Sequence, residues 1–232
     1  MSTLNVICAG AGQGLVQALQ DGFERSTGAE IHARFGAVGA MKEALLAGEP
    51  CDVLVLTQPL IEGLVAEGRM AADSVSPLGR VRTGVAVRAG TPWPDVASAA
   101  ALKAALLAST GVYVPDTVRS TAGAHVAKVL RELGLDTLLK DRLREYPNGA
   151  TAMREMAASA EAAPIGCTQV TEIRYTAGVE LVALLPAQFE LATLYTAAVA
   201  SNSPHAALAR RFVGLLTGAD AQPLRAAGGF ED

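Results

Sequence analysis

The sequence predicts an α/β fold of two doubly wound lobes, joined by two hinge crossings with a ligand cleft between them. Three short apolar runs, Leu4–Ala9, Ile31–Phe35 and Cys51–Leu56, alternate with helical stripes. This β-α-β-α-β-α order is typical of a parallel sheet with helices on both faces. A second set of strands and helices begins with Arg80–Arg88, in which apolar residues alternate with polar or small ones. Each lobe is therefore expected to have its own sheet.

Apolar spacing and glycines indicate the helices of the first lobe. Leu15, Leu19 and Phe23 fall on one helical face, which predicts a helix packed on the sheet. Gly28 ends this helix and Gly48 ends the next one, because glycine readily adopts the left-handed conformation that closes many helices. The third strand is followed by a third helix of the same kind.

The second lobe has the same alternation, and the chain then returns to the first lobe. A helix over Ala122–Leu133 and a strand over Val179–Leu185 are predicted in the second lobe. The strand Leu191–Val199 follows, and Ser203-Pro204 predicts an N-cap with proline at the first helical position. Extended crossings near residues 79–80 and 188–190 predict one lobe from residues 1–79 and 190–232, and a second from residues 80–189.

Composition excludes several classes of protein. The chain has 232 residues, a net charge of −4 and 50% apolar residues, which predicts a folded core rather than a disordered chain. It contains no basic run for nucleic acid and no apolar stretch of about 20 residues, so no nucleic-acid partner and no membrane-embedded segment are expected. Cys8, Cys51 and Cys167 are isolated, which favours buried reduced thiols. No signal peptide is evident; a cytoplasmic location is expected for the chain as it stands, and a periplasmic one if a signal peptide was removed.

Several enzyme classes are excluded by their missing motifs. The turn Gly10-Ala11-Gly12-Gln13-Gly14 places its third glycine one residue too early for a dinucleotide fingerprint. No Gly-x-Ser-x-Gly elbow, phosphate-loop lysine motif or zinc-ligand spacing is present. We therefore predict no cofactor and no metal site.

Three turns rich in small or hydroxyl residues each connect a strand to a helix. They are residues 9–14, residues 35–39 and the longer turn Val114–Gly123. Small residues let a ligand approach the free backbone N–H groups at a helix start, where the helix dipole favours an anion. One such turn is as well explained by the geometry of a tight connection; the occurrence of three predicts a shared anion site.

Longer segments resemble a known family. The stretch GAVGAMKEALLAGEPCDVLVLT is similar to the early part of type II periplasmic binding proteins, in particular the molybdate-binding branch of ABC-transporter receptors. The segments IGCTQVTEI and GVELVALLP resemble the second lobe of the same group, and RRFVGLLTGADAQPLRAAGGFE resembles its C-terminal helices. This resemblance, in order along nearly the whole chain, implies a receptor that closes over a small anion and delivers it to an ABC permease.

The chain departs from that branch where the ligand would bind. The molybdate receptors that it resembles have serine hydroxyls in the first two turns, whereas here Ala11 and Ala37 lie in those turns. A tetrahedral oxyanion held without a counter-charge depends on many neutral donors, so the departure favours an organic carboxylate. The same family includes a branch similar to aconitate isomerase, which moves a proton on a tricarboxylic acid. An isomerase of this kind is one alternative, and a cytoplasmic ligand-sensing module is another.

The candidate ligand-binding residues are taken from the three turns, the third strand and the region after Gly166. Arg119 is a candidate clamp for a carboxylate or a solvated loop residue, Tyr195 is expected in the core, and Asn148 is expected to cap a helix or face the ligand. His125 and Glu172 would be the acid–base groups of an isomerase; otherwise His125 is structural and Glu172 a solvated charge. The ligand-binding set is Ala11, Gly12, Gln13, Ala37, Val38, Gly39, Thr57, Arg119, Ser120, Thr121 and Gln169.

Overall fold

The computed structural model describes residues 2–232, which form two compact units. The first unit contains the chain up to Val81 together with Thr193–Asp232, and the second contains Arg82–Ala192. The predicted α/β class is confirmed. The predicted lobe boundaries lie two or three residues from these limits; they stay a prediction, as does closure of the lobes over a ligand.

Strands and helices alternate along the described chain. The strands are β1 (Thr3–Ala9), β2 (Glu30–Gly36), β3 (Val53–Thr57), β4 (Ser76–Arg88), β5 (Gly111–Pro115), β6 (Leu143–Tyr146), β7 (Pro164–Gln169), β8 (Val179–Leu184) and β9 (Ala192–Val199). The helices are α1 (Gln13–Thr27), α2 (Val38–Leu46), α3 (Gln58–Ala66), α4 (Ala99–Ala108), α5 (Thr121–Glu132), α6 (Gly149–Ala158), α7 (Val170–Arg174), α8 (Ala206–Thr217) and α9 (Gln222–Gly228).

The first unit is built on strands in the order β2-β1-β3-β9. Strand β1 is parallel to β2 and β3, and β9 is antiparallel to β3. Every residue of β3 is buried, which agrees with a strand covered on both faces and explains its unbroken apolar run. Helices α1 and α8 meet through Phe23 and Phe212, whose rings pack edge to face with centroids 4.9 Å apart. As predicted, Gly28 ends α1 in the left-handed conformation.

The second unit has the strand order β4-β7-β5-β6, with β8 paired to β4. Strands β5, β6 and β7 are parallel, and β4 is antiparallel to β7 and β8. Alternate residues of β4 enter different cores: Val85 and Val87 pack with α4 and α5, whereas Ala86 packs with Met153 and Met156 of α6. The sheet is therefore covered on both faces.

Two local predictions are corrected by the structure. Helix α8 begins at Ala206, not at Ser203-Pro204; the Ser203 hydroxyl donates to the buried carboxylate of Asp52 at 2.5 Å and accepts the His205 N–H at 3.1 Å. All three cysteines are free thiols, but Cys51 is only half-buried. Cys167 is buried as predicted, and its burial raises the pKa of the thiol to about 12.

Candidate functional site

The structure brings the predicted ligand-binding residues of the first unit to one edge of its sheet. Strands β1, β2 and β3 are parallel, so the turns that follow them leave the sheet at the same edge. Ala9 and Gly36, the last residues of β1 and β2, are paired in register. The predicted residues that follow these strands are Ala11, Gly12, Gln13, Ala37, Val38 and Gly39, and Thr57 is the last residue of β3.

The first turn is closely packed and leaves no room for a larger side chain. Gly10–Gly12 form one turn of 3-10 helix between β1 and α1, and all three residues are buried. A Cβ atom on Gly12 would lie 2.7 Å from the Cys8 sulfur. A side chain at Gly12 would require Cys8 to move, because the start of α1 packs closely on β1.

Two of the three helices of this edge begin without side-chain caps. No N-cap side chain accepts a hydrogen bond at the start of α2 or α3, whose N-cap residues are Ala37 and Thr57. Helix α1 instead continues from the 3-10 turn, where the Gln13 N–H donates to the Gly10 carbonyl and the Gly12 N–H to the Cys8 sulfur. The first N–H groups of a helix have no partner within the helix and need an outside acceptor, so the positive ends of α2 and α3 present backbone donors at one edge of this unit.

The second unit has a corresponding edge, where α5 and α6 have side-chain caps. Strands β5, β6 and β7 are parallel, so the residues that end or follow them lie at one edge: the turn that contains Asp116, then Asn148, and Gln169. The Ser120 hydroxyl accepts the Gly123 N–H at 3.3 Å, and the Asn148 side-chain oxygen accepts the Thr151 N–H at 2.8 Å. Both helix starts thus already have a side-chain acceptor.

Asp116 organises the turn that carries Arg119. Its Oδ1 accepts the N–H groups of Val118 at 2.9 Å and Arg119 at 2.7 Å, and its Oδ2 accepts Arg119 Nε at 2.8 Å. Burial acts to raise the pKa of Asp116, but the hydrogen bonds and the guanidinium charge together hold the pKa below its ordinary value. Arg119 is thus neither a freely solvated residue nor an isolated cation, since Asp116 orients it; its role as a clamp stays a prediction.

His125, one turn into α5, is tied to the backbone. Its Nε2 lies 2.7 Å from the carbonyl oxygen of Phe189, which can only accept, so Nε2 carries the hydrogen. Thr121, the first residue of the same helix, is half-buried. The contact gives His125 a structural partner within the second unit, and a catalytic role for it stays untested.

Glu172 is buried rather than solvated. The Thr168 hydroxyl donates to its Oε2 at 2.5 Å, and its carboxylate also accepts the backbone N–H groups of Gly149, Ala150 and Gln169. Burial raises the pKa of the Glu172 carboxyl, and these donors act in the opposite direction. The side chain therefore links the start of α6 to the end of β7, and the sequence expectation of a solvated charge is wrong.

Sequence reasoning assigned no role to three residues that build the second unit's edge. They are Asp116, Thr168 and Thr83, which is 1% exposed on β4. One feature of the sequence could have identified Thr83. It lies in the alternating strand with Val81, Val85 and Val87, where its hydroxyl interrupts an apolar series. Tyr195, expected in the core, is 2% exposed and lies there.

The described residues contain neither a cluster of metal-ligating side chains nor a membrane-spanning helix. Within residues 2–232, no three His, Cys, Asp or Glu side chains lie close enough together to hold a metal ion. No helix of the same range is both long enough and apolar enough to cross a bilayer.

Comparison with known proteins shows the family. The family model of bacterial extracellular solute-binding proteins matches residues 4–231. Among solved structures, the periplasmic molybdate-binding protein of Azotobacter vinelandii is similar with a TM-score of 0.79 and 19% identity, over 99% of both chains. The sulfate-binding protein SubI of Mycobacterium tuberculosis has a TM-score of 0.72 and 19% identity, over 99% of this chain and 86% of its own.

A curated relative is similar in sequence as well. An aconitate isomerase from a Pseudomonas species is 30% identical over 227 residues, which are 95% of this chain and 84% of the relative. The fold is that of periplasmic binding proteins of the molybdate-binding type. The chain belongs to the bacterial extracellular solute-binding protein family.

Proposed function

We propose that this protein binds a small organic polycarboxylate as the substrate-binding component of an ABC transporter. The observation that carries the proposal is the pair of uncapped helix starts, those of α2 and α3, at one edge of the first unit. Such starts favour an anion, because their N–H groups and the helix dipole both attract negative charge. In the second unit, Arg119 supplies a planar cation that matches a carboxylate.

The residues in the first two turns support a carboxylate rather than a tetrahedral oxyanion. The molybdate-binding and sulfate-binding proteins named above share the fold at 19% identity. At that identity, their ligands do not indicate the ligand of this chain. Ala11 and Ala37 provide no hydroxyl donor, and an oxyanion bound without a counter-charge would depend on such donors. A carboxylate group can pair with the Arg119 guanidinium, which supplies the counter-charge.

The family supports a location and a partner. Its description as extracellular, together with the periplasmic relative from Azotobacter vinelandii, favours the periplasmic alternative and delivery to an ABC permease. A ligand-sensing module without a transporter would use the same binding residues. Permease and ATPase genes beside this one are expected for the transport role.

Citrate and tricarballylate are expected to stabilise the protein, whereas molybdate and sulfate are not. A ligand at a hundred times its Kd stabilises the folded state by about 2.7 kcal/mol. For a chain of this size, that free energy raises the Tm by roughly 5–10 °C. A thermal-shift series over carboxylates and oxyanions measures this change.

The control for that series is a pair of arginine variants. Arg119→Gln is expected to reduce the shift produced by citrate, while Arg131→Gln, on the exposed end of α5, leaves it unchanged. A larger shift with molybdate than with any carboxylate would contradict the assigned ligand class. Equal citrate-induced Tm shifts in the two variants would show that Arg119 does not contact the ligand.

A second candidate function is isomerisation of a tricarboxylic acid. The 30% identity to an aconitate isomerase over 95% of the chain favours it. The reaction needs a base beside an acidic C–H, for which His125 and Glu172 are the candidates. In the structure His125 Nε2 faces the Phe189 carbonyl, and the Glu172 carboxylate is enclosed by N–H and hydroxyl donors. These contacts favour binding without turnover.

Proton NMR of trans-aconitate with the purified protein distinguishes the two functions. We expect the spectrum of the acid to broaden or shift on binding without formation of the cis isomer. Formation of cis-aconitate that is abolished in His125→Ala or Glu172→Gln would establish the isomerase instead. The matched variant is Lys128→Ala, an exposed position on the same helix as His125, which leaves either outcome unchanged.

A further inference from the structure

Thr83 lies at the same sheet edge as the predicted ligand-binding residues of the second unit. It is paired in register with Gln169, the last residue of β7. Because β7 is parallel to β5, the end of β7 and the Arg119 turn after β5 share that edge. Thr83 therefore lies at the edge where the ligand-binding residues of this unit are predicted, although β4 carries none of them.

The register also determines which face of the sheet the Thr83 side chain occupies. Val85 and Val87, two and four residues further along β4, pack with α5 in one core. The pairing of β4 with β7 runs without interruption from Thr83 to Val87. Thr83 and Gln169 thus lie on the face of the sheet that α5 covers. The first residues of α5 are predicted to contact the ligand.

The Thr83 hydroxyl is buried without a partner. Thr83 is 1% exposed, and its Oγ1 has no hydrogen bond. Its backbone is satisfied, since the N–H donates to Leu191 O at 3.2 Å and the carbonyl accepts the Leu185 N–H at 3.1 Å. Folding gains nothing from this hydroxyl, because valine has the same shape and occupies the neighbouring positions on this face of β4.

We infer that Thr83 is a specificity-determining residue of the site, and that its hydroxyl donates a hydrogen bond to a carboxylate oxygen of the bound acid. The inference rests on the proposed function. A hydroxyl at this place adds a neutral donor on a buried strand, separate from the charged, half-exposed Arg119. Such a donor selects ligands by the position of an oxygen atom, since a ligand without one leaves the hydroxyl unpaired.

The test is the isosteric substitution Thr83→Val, measured by isothermal titration with citrate. Loss of a hydrogen bond to a charged group is expected to raise the Kd for citrate by about tenfold or more. The Tm without ligand is expected to stay equal or increase, because valine removes an unpaired buried hydroxyl. Thr83→Ser retains the hydroxyl and is expected to bind citrate within about threefold of the unsubstituted protein.

The matched control is Tyr175→Phe, which also removes a buried hydroxyl without a partner but lies at the opposite end of α7 from Gln169. It is expected to leave the Kd unchanged. Three results would overturn the inference while the proposed function stands. They are unchanged citrate binding in Thr83→Val, an equal loss of citrate affinity in the valine and serine variants, and a lower Tm for Thr83→Val. If the unsubstituted protein binds neither citrate nor the other carboxylates, the proposed function fails, and the inference fails with it.

Discussion

Gly123→Ala is expected to destabilise the protein and weaken citrate binding together. A Cβ atom at this position would lie 2.2 Å from the carbonyl oxygen of Asp116 and 2.4 Å from that of Pro115. These are backbone atoms at the end of β5, so the start of α5 would have to move away from the strand. We expect a loss of about 3 kcal/mol in the free energy of unfolding, measured by denaturant titration.

The same movement would disturb the Asp116 turn, in which the Arg119 N–H and Nε are held at 2.7 and 2.8 Å. The Kd for citrate is therefore expected to rise by about tenfold or more. Gly22→Ala is the control, because a Cβ atom on Gly22 meets nothing within 4 Å and the residue lies inside α1. It should raise stability by about 0.5–1 kcal/mol. Equal effects of the two substitutions would contradict the close packing at Gly123.

Glu172→Ala is expected to cost about 3 kcal/mol of unfolding free energy, because it leaves several buried N–H donors without an acceptor. The donors are those of Gly149, Ala150 and Gln169, and the Thr168 hydroxyl loses its acceptor as well. The linked start of α6 and end of β7 would become less ordered. Thermal unfolding followed by circular dichroism, together with hydrogen exchange of the α6 amides, measures the effect.

Two further variants make the Glu172 result specific. Glu172→Gln retains the shape and one acceptor oxygen but directs an NH₂ group at N–H donors, so an intermediate loss is expected. Glu155→Ala removes an exposed carboxylate from α6 and should change stability by less than about 0.5 kcal/mol. An unchanged Tm in Glu172→Ala would show that the buried carboxylate contributes nothing to the second unit.

Most of the fold could be predicted from periodicity and from glycine positions. Strand β3 is apolar throughout because it is covered on both faces, and Gly28 marks the end of α1 by its left-handed backbone. Strand β6 was missed because it pairs only with β5 and reads Leu-Arg-Glu-Tyr, which has no apolar run. Ser203 accepts the His205 N–H just before α8, but the helix itself begins at Ala206, and the contact of the Ser203 hydroxyl with Asp52 could not be predicted because Asp52 lies 151 residues away in the sequence.

The candidate site was less predictable because its geometry depends on contacts across the sequence. The glycine-rich turns could be identified locally, since each follows an apolar strand. The burial of Glu172 could not, because its neighbours in sequence include Arg174 and two of its donors, Gly149 and Ala150, come from a different helix. Asp116, in contrast, acts within its own turn through contacts with Val118 and Arg119, two and three residues further along the chain.

The close packing of Gly12 against Cys8 has an evolutionary consequence. A side chain at Gly12 would meet the Cys8 sulfur at 2.7 Å and a Val55 methyl group at 3.3 Å, so a substitution there requires these neighbours to move. Variation of the chain is therefore restricted at Gly12, whereas Arg119, whose side chain is half-exposed, can be replaced without such a packing conflict.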